Sequence, residues 1–385
     1  MTMSANPSEL PQSDRRHLVG CWVMAVLGAM PFAVQPFFLG VMTDALMLAP
    51  DQVGWLASAD ILGVVLASFS GFWWTRRFSH QALVKLASIS MVLGYLGLLL
   101  ANTFEAVLSL RFLAGVLGHG IAFSLGTALL CRAPHPDRAI AISVMTQIGF
   151  SSVLLLALPK VLSASDIKTV YLSLVAIVLA LLPLLKLAND SLTRDSETAA
   201  LTTVKPLIIW LLVALVCYQL GLSAIWAFIE SIGRERQISL EQMGLMLAII
   251  LPVSMVGSIL ASMLDVRLGR FTPVLLATIA GAIGLFILVN TASVIALAAG
   301  FLLHQIAWNF GIAFVYGAIA QVSNQSGSEI LAPGSQSLGT ALGPILAGIL
   351  ASSVNLDAVI WVSILGMIAG SLILFLTREA HSPRS

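Results

Sequence analysis

Long apolar stretches separated by short polar breaks make up almost the whole chain. Twelve of them reach the roughly 20 residues that a helix needs to cross a bilayer's hydrocarbon core. They run over 18–43, 52–72, 80–101, 105–130, 138–161, 167–188, 206–230, 241–263, 272–290, 293–320, 331–353 and 357–377. Membrane β-strands would instead alternate apolar and polar residues over about ten positions, so each stretch is read as a helix. The longest polar interruption, NDSLTRDSETAALTTVK at 189–205, holds five charged residues and no apolar periodicity. It reads as a linker between two six-helix halves, 18–188 and 206–377, with polar tails at 1–17 and 378–385.

The halves resemble each other at an offset of about 190 residues. DQVG at 51–54 meets EQMG at 241–244, each at the start of the second helix of its half. LASI at 86–89 meets LATI at 276–279, Gly149 meets Gly339, and GIAFSLG at 120–126 meets GIAFVYG at 311–317. Six is an even number of crossings. Two such copies in series therefore start on the same face and are related by an axis along the membrane normal.

Composition strengthens the membrane reading. Apolar residues make up 58% of the 385, charged residues 10%, and mean hydropathy is +0.99. Soluble domains carry about 25% charged residues, so this chain lacks the charge to coat a water-facing surface. A net charge of +1 gives no basis for nucleic-acid binding. Cys21, Cys131 and Cys217 are widely spaced and match neither a metal site nor a disulfide framework. The first apolar run is too long for a signal-peptide core and lacks a small-residue cleavage site, so it is expected to be retained. With the N-terminus inside, fourteen of the nineteen Lys and Arg fall on the cytoplasmic side. Four (Lys160, Lys168, Arg234 and Arg236) fall outside, and Arg111 is left in the membrane. The expected placement is a bacterial-style inner membrane, multi-pass, with both termini and the linker cytoplasmic.

Short motifs then narrow the class. GFWWTRRFSH at 71–80 keeps Gly71 and Arg76 of a Gly-x-x-x-Asp-Arg-x-Gly-Arg-Arg loop, with Thr75 in place of the acid. DVRLGR at 265–270 keeps Asp265, Arg267, Gly269 and Arg270 at the matching place in the second half. RFLAG at 111–115 fits an Arg-x-x-x-Gly pattern in the fourth helix. With the parallel six-helix repeats, these motifs make the chain similar to the major facilitator superfamily over nearly its whole length. The resemblance implies an all-α membrane protein of twelve transmembrane helices, with helices 1, 4, 7 and 10 lining a central cavity. It also implies that the charged loops act in conformational change. The Gly-x-x-x-Gly-Pro step that proton antiporters often carry in helix five is missing there; Val153 and Leu154 stand at its end. The step appears instead in helix eleven, as GTALGP at 339–344.

Polar residues inside the spans are the site candidates, because a charge at the bilayer centre costs about 2.5–3.5 kcal/mol on insertion scales. Arg111 has no acid one turn away, and lies on a stripe with Gly115, Gly118 and Ala122. It suggests an anion site or a proton-coupling partner, or else an arginine held by carbonyls. Asp60 is the one acid clearly within a span; its repeat counterpart is Ile250. Coupled action of Asp60 and Arg111 is the working expectation, with a helix-joining ion pair as the alternative. His119, near mid-membrane on the fourth helix, and Glu230, near the outer mouth of the seventh, complete the transport and proton-coupling set. Gln219, Ser223, Trp226 and Glu230 form one stripe on the seventh helix. His304, Gln305 and Asn309 lie on the tenth, Gln35 beside Pro36 on the first, and Gln147 on the fifth. All of these are expected to face substrate. Pro31 and Pro36 are positioned to bend the first helix. HPDR at 135–138 and GRER at 233–236 read as solvated turns.

No phosphate loop, metal cluster or nucleophile elbow is recognisable, so neither ATP-driven transport nor a cofactor is expected. The combined reading is a secondary transporter, monomeric and not an enzyme, that moves a small organic solute by alternating access. Proton-coupled export is expected, with an anionic solute favoured by Arg111. Uptake of an organic acid or similar nutrient is the alternative. A membrane receptor or lipid-active enzyme is the reading from another class.

Overall fold

The computed structural model describes residues 12–131, 133, 136–164, 167–188, 206–264, 267–291, 293–323 and 331–377. The 189–205 linker, the 378–385 tail and Asp265 lie outside these residues. Among them there is no β-strand, and the helices form twelve rods. The first six are α1 (Gln12–Leu46), α2 (Pro50–Arg77), α3 (His80–Leu98), a fourth compound rod, α6 (Pro136–Ala164) and α7 (Ile167–Leu185). The fourth consists of α4 (Phe104–Ala114), a π-helical stretch (Gly115–Gly120) and α5 (Ile121–Cys131). The next six begin with α8 (Pro206–Glu235) and a rod broken at Met255 into α9 (Leu240–Ser254) and α10 (Val256–Leu264). They continue with α11 (Phe271–Val289), α12 (Val294–Ser323), α13 (Ala332–Ser353) and α14 (Ala358–Leu376). The first rod starts at Gln12, six residues before the apolar run, and so takes in Asp14-Arg15-Arg16.

Eleven of the rods are long and apolar enough to cross a membrane. The twelfth, α13, is long enough at 22 residues but rich in Gly and Ser. Its position explains the composition. It is wedged between α2 and α8, with protein on two sides. Small residues allow backbones to approach closely where lipid is the only alternative solvent. A side-chain carbon on Gly343 would collide with Ser223 and the Leu220 carbonyl of α8, and one on Gly348 with Pro50 of α2.

The pairings repeat between the two sets of six. α1 packs on α6 and α7 as α8 packs on α13 and α14; α3 pairs with α7 as α11 pairs with α14. Across the seam, α2 meets α13 and α6 meets α9, which are equivalent contacts under a two-fold. The repeated acid-Gln-x-Gly step has a physical meaning in this arrangement. Gln52 Oε1 accepts the Ala49 N–H, and Gln242 Oε1 accepts the Ser239 N–H, each at 3.1 Å, so each glutamine caps its helix. The acid before it sits in the first turn, where the helix dipole favours negative charge. Two residues beyond each Gln, the glycine lets the seam close: Gly54 abuts the Pro344 carbonyl of α13, and Gly244 abuts Leu155 and Pro159 of α6.

Candidate functional site

Two polar regions lie inside the bundle, on opposite sides of α1. The first is sealed within the first six rods. Gly115 begins the π stretch where the fourth rod crosses α2, and a side-chain carbon there would collide with the backbone of Asp60. This close crossing brings the Asp60 carboxylate onto the Arg111 guanidinium as an ion pair, each side chain 5% exposed. The guanidinium also lies over the Phe38 ring, 4.1 Å from its centroid, and its Nε–H has no hydrogen-bond acceptor. Eight residues on, across the π stretch, His119 Nδ1 lies 2.8 Å from the Leu27 carbonyl and Nε2 lies 3.1 Å from the Tyr95 hydroxyl. Since a carbonyl only accepts, Nδ1 carries the proton; in the neutral ring the tyrosine then donates to Nε2. Little space remains among Asp60, Tyr95, Arg111 and His119.

The second region is a cavity of about 220 Å³ at the seam. Ala29, Phe32 and Ala33 of α1 and Gln147 and Ser151 of α6 form one wall; α8, α9 and α12 form the other. From α8 come Gln219, Ser223 and Trp226; from α12 come Gln305, Trp308 and Asn309. Several of these polar groups are already engaged. Asn309 donates to Ser254 Oγ at 3.0 Å, Gln147 donates to Ser143 Oγ at 3.1 Å, and Gln219 Nε2 donates to Thr340 Oγ1 at 3.0 Å. Two buried groups of the lining have no protein partner among the described residues: the Gln219 Oε1 acceptor and the Trp308 Nε1 donor. Among the described residues, no ionisable one lines the cavity.

The shared wall, α1, carries two prolines, and each leaves the carbonyl four residues earlier without its helical donor. For Pro31 that carbonyl is Leu27, which receives His119 from within the first six rods. For Pro36 it is Phe32, which receives the Trp226 Nε1–H at 3.0 Å from α8, across the seam. Trp226 also stacks on Phe32 and Phe301, with ring centroids 5.5 and 6.4 Å away. Two turns further along α8, Arg234 donates to both oxygens of Glu230, at 2.8 and 2.9 Å, and pairs across the seam with Asp44 of α1. Together these contacts close the seam on the face opposite the linker.

The candidates thus divide. Gln147, Gln219, Ser223, Trp226, Gln305 and Asn309 meet at the cavity. Gln35 does not; it donates to the Ala57 carbonyl of α2 at 2.7 Å. His304 is fully buried beside Gly281 and stacked on Phe301, apart from the cavity lining. Arg111 is also absent from the lining and already neutralised, which removes the ground for favouring an anionic solute. The fourth rod contributes nothing to the cavity, and α6 and α9 take that place. Glu230 belongs to the closing contacts rather than to the wall.

GRER at 233–236 is not a solvated turn. Arg234 bridges the seam, while Arg236 donates to the Thr291 carbonyl at 3.0 Å and lies 3.7 Å from Asp357. Of the loop residues, Arg270 donates to Gln321 Oε1 at 2.9 Å, Gly269 adopts φ +68°, and Arg267 forms a single backbone bridge with Gly269. Gly71 accepts the Thr75 hydroxyl through its carbonyl, and Arg76 lies in the last turn of α2. Tyr95, Phe32, Trp308, Thr340 and Asp44 escaped the sequence reading. The aromatic residues look like ordinary core, and Asp44 lies beyond the apolar run.

The sequence profile of the Major Facilitator Superfamily matches residues 21–331. Among curated proteins none matches significantly. Solved structures match over almost the full chain. A bacterial homologue of the human lysosomal transporter Spinster, inward-facing and occupied, has a TM-score of 0.74 at 13% identity, covering 98% of this chain and 100% of its own. The xylose transporter XylE from E. coli, partially occluded and inward open, has a TM-score of 0.70 at 12% identity, covering 95% and 98%. A point mutant of the nucleoside transporter NupG has a TM-score of 0.70 at 13% identity, covering 96% and 100%. At these identities the likeness shows the fold. The protein is a multi-pass membrane transporter and not an enzyme. It belongs to the major facilitator superfamily.

Proposed function

We propose that the protein is a secondary transporter that carries a small, uncharged polar solute through the seam cavity, coupled to protons and in the direction of export. The observation that carries this reading is the cavity itself. Five helices from both halves build it, its wall bears no charge, and it offers one open acceptor, one open donor and flat aromatic faces. A buried site that hydrogen-bonds its ligand discriminates strongly against analogues lacking those groups. The solute therefore presents both a donor and an acceptor on a compact, partly apolar frame. Spinster-type, xylose and nucleoside transporters with the same fold support a small organic solute. The closed far-face seam, with the inward-facing state named for the Spinster homologue and XylE, supports an inward-facing conformation here. The linker face is then cytoplasmic, in an inner membrane, and one chain suffices for the whole cavity.

Asp60 and Arg111 supply the coupling in this reading. A proton on Asp60 cancels the ion pair and frees the guanidinium. The change passes through α1, whose one face carries Phe38 and Leu27 and whose other face carries Phe32 and Ala33. Uptake of a nutrient through the same cavity is the second direction.

A thermal-shift screen of the purified protein against neutral metabolites, sugars, nucleosides and antibiotics tests the site. A true substrate raises the melting temperature of the wild type, and Gln219→Ala weakens its binding by about 1–3 kcal/mol, roughly 5- to 150-fold in affinity. Binding confined to anions, or indifferent to Gln219, refutes this cavity as the site. Transport in vesicles with an imposed pH gradient then reads direction and coupling. Asp60→Asn should still bind solute but lose the gradient dependence; unchanged dependence removes Asp60 from the mechanism.

A further inference from the structure

A groove of about 830 Å³, larger than the seam cavity, lies between α3 and α7, on the outer flank of the first six rods. Its walls are apolar: Val84, Ile89, Val92 and Leu93 from α3, with Leu179 and Leu182 from α7. Its polar end holds Lys85, near the start of α3, and Lys186, just beyond the end of α7, with Gln81 beside them. Among the described residues, both lysines are exposed without an ion-pair partner and no acid lines the groove. α3 starts and α7 ends on the linker face, so the two cations share one depth, at the membrane boundary. The groove thus has a charged mouth at headgroup level and an apolar body running into the hydrocarbon.

We propose that this groove holds one anionic phospholipid of the linker-face leaflet, with its phosphate between Lys85 and Lys186 and an acyl chain along Ile89, Leu93 and Leu179. The volume lies within the range of about 300–1,000 Å³ typical of sites for one organic ligand. Basic residues at a membrane surface attract anionic lipid. A lysine is a compact point charge with three rotatable donors, suited to a phosphate of variable pose. A lipid also fits better than a free anion, because most of the groove wall is hydrocarbon-like. The site faces lipid on the far side of α3 and α7 from the seam, so it is separate from the solute route. It stands whether or not the solute reading above holds; only its assignment to the cytoplasmic leaflet rests on the proposed orientation.

The test is lipid retention by the full-length purified protein, read by native mass spectrometry after titration with phosphatidylglycerol or phosphatidylcholine. The wild type should retain phosphatidylglycerol at least several-fold better than phosphatidylcholine. Lys85→Gln/Lys186→Gln should lose about tenfold of that preference, each single variant part of it. Leu182→Trp, which fills the groove and leaves both cations, should lose it too. Lys168→Gln, the same charge change at the other end of α7, should keep it. Inorganic phosphate and glycerol phosphate should not compete at concentrations matched to the lipid. Equal retention of the two lipids, an unaltered preference in the double lysine variant, or an equal loss in Lys168→Gln would each overturn the proposal, as would full competition by inorganic phosphate.

Discussion

The buried cluster and the seam cavity differ in what they do with charge. Asp60 and Arg111 lie packed among Phe38, Tyr95 and His119, with almost no free volume. The cavity, on the other side of α1, has room for a ligand and not one ionisable group. The contrast separates two requirements that polarity inside a membrane otherwise merges. A charge in a low-dielectric bundle demands a partner, and Arg111 has one. A solute demands unspent hydrogen-bonding capacity, and Gln219 and Trp308 keep it. The costliest residue in the sequence therefore marks the place where the protein is most tightly knit, and the cheaper amides mark the place where something else can bind.

The strongest way to break this comparison is to remove half of the ion pair. Asp60→Leu leaves the Arg111 guanidinium buried and unpaired, and should cost about 3–5 kcal/mol. Thermal unfolding in detergent should show a large fall in melting temperature. The double variant Asp60→Leu/Arg111→Met should recover most of it, since apolar residues often replace a buried pair at little loss. If the single variant melts like the wild type, the pair is wet or broken in solution and the cluster is not sealed.

The reach of the sequence is set by what hydropathy measures. Span length and apolarity report the solvent around a rod, so the helix starts at 80, 104, 167 and 206 fall within a residue or two of expectation. The α13 rod is the instructive exception: its sequence reads as an apolar span like the others, yet its Gly and Ser content answers to α2 and α8 rather than to lipid. Facing is not legible in the same way. Arg111 and the cavity residues are alike in being polar residues within apolar helices, and only packing tells which side of α1 each one meets. The π stretch at Gly115–Gly120 shifts the register between Arg111 and His119, so an α-helical stripe through Arg111, Gly115 and Gly118 misplaces the residues beyond it. Gln35 fails for the same reason: polarity alone does not distinguish a bond to a neighbouring backbone from an open one.

The two prolines of α1 allow a finer comparison within one helix. His119→Phe keeps the ring but removes the donor from the Leu27 carbonyl and the acceptor from Tyr95. A buried acceptor left unpaired costs about 1–3 kcal/mol. The loss falls wholly within the first six rods, so it should lower the melting temperature in every conformational state and leave the far-face seam as closed as before. Spin-label distances across that seam check the second half of the statement; a widened seam would mean that the cluster and the closure are not separable.

Trp226→Phe makes the matching change at the other proline, with the opposite signature. Phenylalanine preserves the stacking on Phe32 and Phe301 but has no N–H for the Phe32 carbonyl. The lost bond is a neutral one, worth about 0.5–1.5 kcal/mol net. It exists only while the far-face seam is shut, because its two ends belong to different halves. The variant should therefore shift population rather than unfold: about 1 kcal/mol is a factor of roughly 5 in the ratio of closed to open far face. Overall melting should change less than in His119→Phe, and labels flanking Asp44 and Arg234 should report more of the open distance. The salt bridge between those residues remains in the variant, which limits the shift and makes Arg234→Ala in the same background the additive control. Should Trp226→Phe lower the melting temperature as much as His119→Phe while the seam distances stay unchanged, the Phe32 carbonyl is satisfied in both states, and Trp226 serves the cavity wall alone.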